Sequence, residues 1–303
     1  GTGDIGRALA QAAPGRLRVA VGAPLAAGWT GKLWALSQGI AACLDGAPET
    51  RFLLLTDADI VHPPDLIRRL VAKAEMERRD LVSLMVRLNC TSAWERLLIP
   101  AFVFFFQKLY PFPLVNDPAS GVAGAAGGCM LVRRATLERA GGIAAIRGEM
   151  IDDCALARAL KIAGGNLWLG LADESRSLRV YDRLGEIWSM VARTAYTQLN
   201  YSPLLLLGTI FGMALLYVTP IATVLTWPWH GDAVAGAAAL AAFVLSIVAY
   251  IPTLSYYREP LSAAPLLPLA AALYLAMTVD SARRHWQGRG GQWKGRYAPG
   301  SGS

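Results

Sequence analysis

The sequence predicts an α/β domain over residues 1–193, with a mostly parallel sheet flanked by helices, then a membrane region over 194–279 and a basic tail over 280–303. Three observations predict it. Short apolar runs alternate with helix-period segments in the first part of the chain. Charge is concentrated there: 42 charged residues lie in 1–193, against only Asp232, Arg258 and Glu259 in 194–279 and six, five of them basic, in 280–303. Within the charge-poor stretch, Leu204–Leu225, Ala233–Ile251 and Leu261–Val279 are charge-free runs of 22, 19 and 19 residues, close to the roughly 20 that a helix needs to cross a bilayer core. A composition of 54% hydrophobic residues with four cysteines excludes a disordered, collagen-like or disulfide-stapled chain.

Along the α/β part, Arg16–Val21 alternates as a strand, Gly31–Leu44 reads as a helix, and Arg51–Thr56 is a short apolar run of strand length. Pro64–Arg79 places Leu66, Ile67, Leu70, Val71 and Ala74 at helical spacing, and Leu81–Val86 is a third strand candidate. Trp94–Tyr110 differs in kind. Its centre, Leu97–Phe106, is aromatic-rich and charge-free but only 10 residues long, too short to span. It reads as a helix in the membrane interface, as the wall of a greasy acceptor channel, or as a buried core helix.

The three later runs read as membrane segments, in which Gly208, Gly212, Pro220, Pro265 and Pro268 are tolerable because neighbouring helices re-satisfy freed backbone groups. Arg176, Arg179, Arg183 and Arg193 precede the first run and Arg283, Arg284, Arg289, Lys294 and Arg296 follow the last. The positive-inside bias puts both flanks in the cytoplasm, which three full crossings do not allow. Either one segment is re-entrant or interfacial, the Pro-interrupted third being first choice, or the basic tail is an exception. The chain has no initiator Met and Gly1–Ala13 is not a signal peptide, so it reads as a fragment. Cys43, Cys90, Cys129 and Cys154 are too scattered for a metal clip and read as buried free thiols in a reducing compartment, with no function assigned.

Four motifs carry chemistry. Phe52–Thr56 runs directly into Asp57-Ala58-Asp59, and in α/β sheets ligands sit beyond the carboxyl ends of strands. Alternate residues of an extended chain face the same way, so Asp57 and Asp59 could share a hard cation, Mg²⁺ or Mn²⁺; the same triplet also reads as a solvated turn or a helix cap. Gly28-Trp29-Thr30-Gly31-Lys32 opens a helix whose free N–H groups and lysine suit a diphosphate, although it is no P-loop, since Leu33 stands where Ser or Thr is required. Gly127-Gly128 before Cys129–Val132 lets a ligand or another backbone come close, or simply makes a turn. Asp152-Asp153 open the helix Asp152–Ala163, where the helix dipole favours acids; the alternative to capping is a general base whose pKa is raised by its acidic neighbour and a nearby lipid surface.

Taken in order, Gly31-Lys32 with Ala35-Leu36, Asp57 and Asp59, Gly127-Gly128-Cys129-Met130 before Arg133-Arg134, and Asp152-Asp153 resemble the family 2 glycosyltransferases of GT-A fold. Asn116-Asp117-Pro118, Arg193–Leu199 and Trp293-Lys294-Gly295-Arg296 are similar to the membrane-bound, hopanoid-biosynthesis-associated branch. The resemblance implies inverting transfer from a nucleotide-sugar donor to a lipid acceptor. It assigns Asp57 and Asp59 to the divalent cation, Asp153 to the catalytic base with Asp152 as neighbour and weaker candidate, Lys32 to the donor diphosphate, Gly127 and Gly128 to the border of the sugar, and Gly31 and Arg193 to binding of the nucleotide-sugar donor. It also implies a multi-pass protein of the inner (cytoplasmic) membrane with its catalytic domain facing the cytoplasm. The Q/R-x-x-R-W signature of processive synthases is incomplete, since Thr194 follows Arg193 and Met190 precedes it by three, which disfavours a polymer-making enzyme. Gly1-Thr2 resembles the end of the family's D-G-T turn, so the opening strand, the base-binding loop and any N-terminal membrane helix are expected upstream, and the chain as given is expected to work poorly. A non-catalytic membrane scaffold with a degenerate transferase domain is the other alternative; nucleic acid is not expected, because the net +7 lies mainly beside membrane.

Overall fold

The computed structural model describes residues 2–289; Gly1 and the tail motif Trp293-Lys294-Gly295-Arg296 lie outside the described residues. In chain order the elements are α1 (Thr2–Ala12), α2 (Gly31–Gly46), β1 (Phe52–Thr56), β2 (Ile60–Val61), α3 (Leu66–Met76), β3 (Leu81–Arg87), α4 (Ala93–Leu109) and α5 (Phe112–Asn116). There follow β4 (Cys129–Arg133), α6 (Arg134–Arg139), α7 (Asp152–Ile162), β5 (Leu167–Ser177), α8 (Leu184–Ala192) and α9 (Ala195–Gln198). The chain then enters α10 (Pro203–Met213), continues through a π turn into α11 (Thr219–His230), returns as α12 (Ala233–Tyr257), and ends in α13 (Leu267–Trp286).

The five strands form one sheet in the order β1-β4-β3-β5-β2. It is mixed, which corrects the expectation of a mostly parallel sheet. Among the described residues β3 and β5 pair in parallel, whereas β1 with β4, β3 with β4, and β2 with β5 are antiparallel. The reason is β4. Alternation of strands and helices implies crossovers that keep strands parallel, but the long connection after α5 brings Cys129–Arg133 back between β1 and β3, opposed to both. Gly128 makes this approach possible: a Cβ there would lie 2.8 Å from Val86 Cγ2 on β3. Arg16–Val21 is the second correction. It is not a strand but extended chain laid on α2, where Arg18 donates to the Ala42 carbonyl at 3.1 Å and the Ala23 N–H donates to Gln38 Oε1 at 2.7 Å. Its Leu17, Val19 and Val21 stay exposed.

The core sits between the sheet and α4. Leu81, Leu98, Ile99, Val103, Leu160, Leu167 and Leu169 belong to one buried cluster that continues into Tyr250, Leu254, Leu267 and Met277 of the apolar helices. Trp94–Tyr110 therefore takes the buried reading of its three: α4 packs on α8, α12 and α13, with Phe104 edge-on to Tyr250 and Phe105 edge-on to both Tyr217 and Tyr274. Three helices are long and apolar enough to cross a membrane, Pro203–His230, Ala233–Tyr257 and Leu261–Trp286. Cys129 and Cys154 are buried and Cys90 is half-buried, but Cys43 is exposed, contrary to the expectation of four buried thiols.

Glu95 ties the start of α4 to the rest. Fully buried, it accepts from the Thr91 and Ser92 N–H groups at 2.9 and 3.0 Å, closing a capping box with Ser92, and from the Tyr181 N–H at 2.7 Å. Burial alone would raise its pKa, but these N–H donors outweigh it and hold the carboxyl below its usual range. Glu95→Ala strands several buried N–H groups and is expected to cost about 3 kcal/mol, against less than about 0.5 kcal/mol for the exposed Glu138→Ala. Denaturation of the two variants in detergent checks this.

Candidate active site

Three chain segments converge at the carboxyl end of β1. The first is β1 itself, whose alternating buried Leu53 and Leu55 fix the strand so that Asp57 emerges directly beyond Thr56. The second is the N-terminus of α2, where Thr30 Oγ1 accepts from the Leu33 N–H at 3.4 Å and starts the helix with Gly31 and Lys32 in its first turn. The third is the N-terminus of α7, which supplies Asp152 and Asp153.

Lys32 joins the three. Its ammonium lies 3.2 Å from Asp57 Oδ1 and 3.0 Å from Asp152 Oδ2. Burial alone would lower its pKa; the Asp152 and Asp57 carboxylates outweigh that and raise it, so it is a permanent cation. Asp153 is held differently. Its Oδ2 accepts from the Gly127 N–H at 2.8 Å and its Oδ1 from the Cys154 N–H at 2.8 Å. Burial pushes this carboxyl up to about 6 and the neighbouring Asp152 charge adds to the rise, against the pull of the Cys154 N–H, Lys32 and the Gly127 N–H. The acids of the first turn are thus directed at Lys32 and at the Gly127 turn, and α7 has no side-chain N-cap. Gly127 must stay small for the same reason, since a Cβ would sit 3.3 Å from Asp153 Oδ2 and 3.5 Å from Lys32 Nζ.

The other predicted residues fall around this centre. Arg193, at the C-terminal end of α8, is half-buried; burial and the nearby Arg179 lower its pKa, while the Asp152 and Asp57 charges act on it in the opposite sense. Asp59 has its carbonyl bonded by the Leu178 N–H at 2.8 Å, and its charge acts on the buried Tyr181 phenol, whose pKa is raised first by burial. Gly128 is turned to the β3 contact described above, and a Cβ on Gly31 would meet open space. Among the described residues no three His, Cys, Asp or Glu side chains form a metal cage. Asp57 and Asp59 nevertheless fit a hard divalent cation chemically, because such a cation takes one or two carboxylates and completes its shell with water and substrate phosphates.

One part of the site was not foreseen. His62, just beyond β2, stands between Thr56 and Ser175: Nε2 is 2.9 Å from Thr56 Oγ1 and Nδ1 is 2.9 Å from Ser175 Oγ. Thr56 Oγ1 donates in turn to the Gly128 carbonyl at 2.9 Å. With the threonine proton so used, Nε2 carries the hydrogen of its bond to Thr56 Oγ1, and burial lowers the pKa of the ring, which disfavours a second proton at Nδ1. This chain closes the Asp57–Val61 loop and ties it to the turn that holds Asp153. The signal in the sequence was a histidine three residues after Asp59. Asn116 was foreseen only as part of a motif; its amide pairs with the Leu169 carbonyl and N–H at 3.0 and 2.7 Å, acting as an extra rung beside β5.

Comparison with protein families places the chain among the glycosyltransferases. The sequence model described as glycosyl transferase family 21 matches residues 23–279, from the approach to α2 through most of α13, and the chain belongs to that family, one similar to family 2. No curated protein matches the chain.

Two outcomes are expected at this site. Because the folded-state pKa of Asp153 lies near 6 and its ordinary value is 3.8, the folded protein holds a proton that the unfolded chain has released between those values. Stability should therefore decline as pH rises through that window and level off above it, and Asp153→Asn should remove the slope; thermal midpoints of both proteins from about pH 4 to about pH 7 measure it. His62→Ala should increase amide exchange at residues 57–61 and at the Gly127-Gly128 turn while β3 and β5 stay protected, whereas unchanged exchange would mean that the loop needs no staple.

Proposed function

We propose that this glycosyltransferase is a membrane-bound, inverting enzyme that moves a sugar from a nucleotide-sugar donor to the hydroxyl of a lipid, a hopanoid or related lipid being the acceptor. The observation that carries the reading is the half-buried Asp153 carboxylate, held by the Gly127 N–H beside the Lys32, Asp57 and Asp152 cluster. A carboxylate with a pKa of about 6 is mostly ionised at neutral pH yet basic enough to take a proton, which is what a general base requires. The three apolar helices support a lipid acceptor, and the hopanoid assignment rests on the resemblance of the motifs around Asn116 and Arg193.

In this mechanism Asp153 receives the acceptor hydroxyl's proton as its oxygen bonds to the anomeric carbon; the bond from that carbon to the diphosphate oxygen breaks and the leaving group takes the electron pair. Lys32 and Arg193 offset the charge that grows on the diphosphate. Asp57 and Asp59 would hold a divalent cation, Mg²⁺ or Mn²⁺, which when bound supplies Lewis-acid stabilisation of the leaving group. Asp152 keeps Lys32 in place and raises the basicity of Asp153. The domain faces the cytoplasm of an inner membrane in this reading, in keeping with the basic residues that flank the apolar segments. A processive synthase is disfavoured by Thr194 after Arg193, and a degenerate scaffold by the retained ion-pair cluster.

A screen of nucleotide sugars and lipids with the full-length enzyme in detergent, read by mass spectrometry of the extracted lipids, tests the reaction. Asp153→Asn is expected to cut turnover by about 10²–10⁴-fold with donor binding retained, the range of a lost general base. Asp59→Asn is expected to abolish cation-dependent transfer. Donor binding lost in the first variant, or full transfer kept in the second, would reassign the residue.

A further inference from the structure

The third apolar helix has the composition of a membrane span, yet both its ends are fastened to the same α/β domain. At the near end Leu267 is fully buried in the core cluster that holds Leu98 and Leu169, and just before it, where α12 ends, Arg87, the last residue of β3, donates to the Tyr257 carbonyl at 2.8 Å, Tyr256 donates its hydroxyl proton to the Ala172 carbonyl at 2.7 Å, and Glu259 accepts from the Cys90 thiol at 3.6 Å. At the far end, Trp188 on α8 donates to Asp280 Oδ2 at 2.8 Å, the Tyr196 N–H donates to Ser281 Oγ at 3.0 Å, and the Tyr196 ring packs edge-on against Trp286. The middle is held too, since Tyr274 donates to the Leu98 carbonyl of α4 at 2.8 Å. A domain that lies on one side of a membrane cannot grip both ends of a helix that crosses it.

The two faces of α13 agree with this. Leu267, Ala271, Tyr274, Met277 and Ser281 form a buried stripe at helical spacing, turned to the domain. Leu269, Ala272, Ala276 and Val279 lie on the opposite face, exposed and apolar, and that face ends at Arg283. An apolar face bounded by a cation at the water-side end fits the acyl-chain boundary of a leaflet whose anionic headgroups meet the arginine. By contrast, α11 and α12 pack against each other as a hairpin around Gly231-Asp232 and are mostly exposed along their length.

We propose that α13 lies in the plane of the leaflet nearest the α/β domain, its outer face seated in lipid, and that among the described residues the chain crosses the membrane only through Pro203–His230 and Ala233–Tyr257. Arg193 before the first crossing and Arg283, Arg284 and Arg289 after α13 then lie on one side, as the charge bias requires.

Single cysteines test this in the full chain with Cys43 replaced by Ser. Ser262→Cys and Gln287→Cys flank α13, Glu138→Cys reports the domain, and all three positions are exposed. In sealed vesicles of one orientation, an impermeant maleimide should label Ser262→Cys and Gln287→Cys from the face that labels Glu138→Cys; labelling of the two flanks from opposite faces would overturn the proposal. Spin labels at Leu269→Cys and Val279→Cys give a second measure, since ten residues of crossing helix differ in depth by about 15 Å. Equal shallow depths agree with the in-plane helix, and a difference of that size refutes it.

Discussion

The arrangement depends on placing a carboxylate where water cannot fully solvate it. Asp153 is ionisable, half-buried and next to another acid, and an unassisted charge in that position would be costly. Two backbone N–H groups and one lysine offset the cost in part, and each comes from a different piece of the fold: the Gly127 turn, the first turn of α7 and the first turn of α2. The remaining imbalance is what leaves the group basic near neutrality. The proton affinity of Asp153 is therefore tied to how α2 and α7 pack against the sheet.

The mixed sheet serves that arrangement. Because β4 runs against β1 and β3, its first residue, Cys129, pairs with Thr56 at the carboxyl end of β1, and the Gly127-Gly128 turn arrives beside Asp57. Strands of one direction would have sent that turn to the opposite end of the sheet. Thr56 then connects the two sides, with its side chain bonded to Gly128 on β4's approach and to His62 beyond β2. Lys32 reaches into the gap from α2 and bridges acids contributed by β1 and α7, so the centre is bounded by sheet end and helix starts alike.

Local features of the chain were the legible ones. The helices at α2, α3 and α7, the strands β1 and β3 and the three apolar segments follow from periodicity and run length, which are written in consecutive residues. The convergence of Lys32, Asp57 and Asp152 was visible only through the order of motifs, because contact between segments about a hundred residues apart depends on packing. His62 went unnoticed since its second partner, Ser175, is 113 residues away. The direction of β4 was hidden for a related cause: five apolar residues after two glycines declare a strand but not which way it runs. Arg16–Val21 misled in the other direction, as alternation without a neighbouring edge to pair with leaves extended chain.

The joint between Arg87 and the α12 terminus has a mechanical side. The guanidinium bonds the Tyr257 carbonyl and lies over the rings of Tyr256 and Tyr257, so the end of the central strand and the returning leg of the hairpin are one rigid piece. Val86, one residue back, is the side chain that Gly128 is packed against. A bilayer whose thickness mismatches a helical hairpin tilts it, and the load of such a tilt falls first on the bond from Arg87 to the Tyr257 carbonyl at the end of β3.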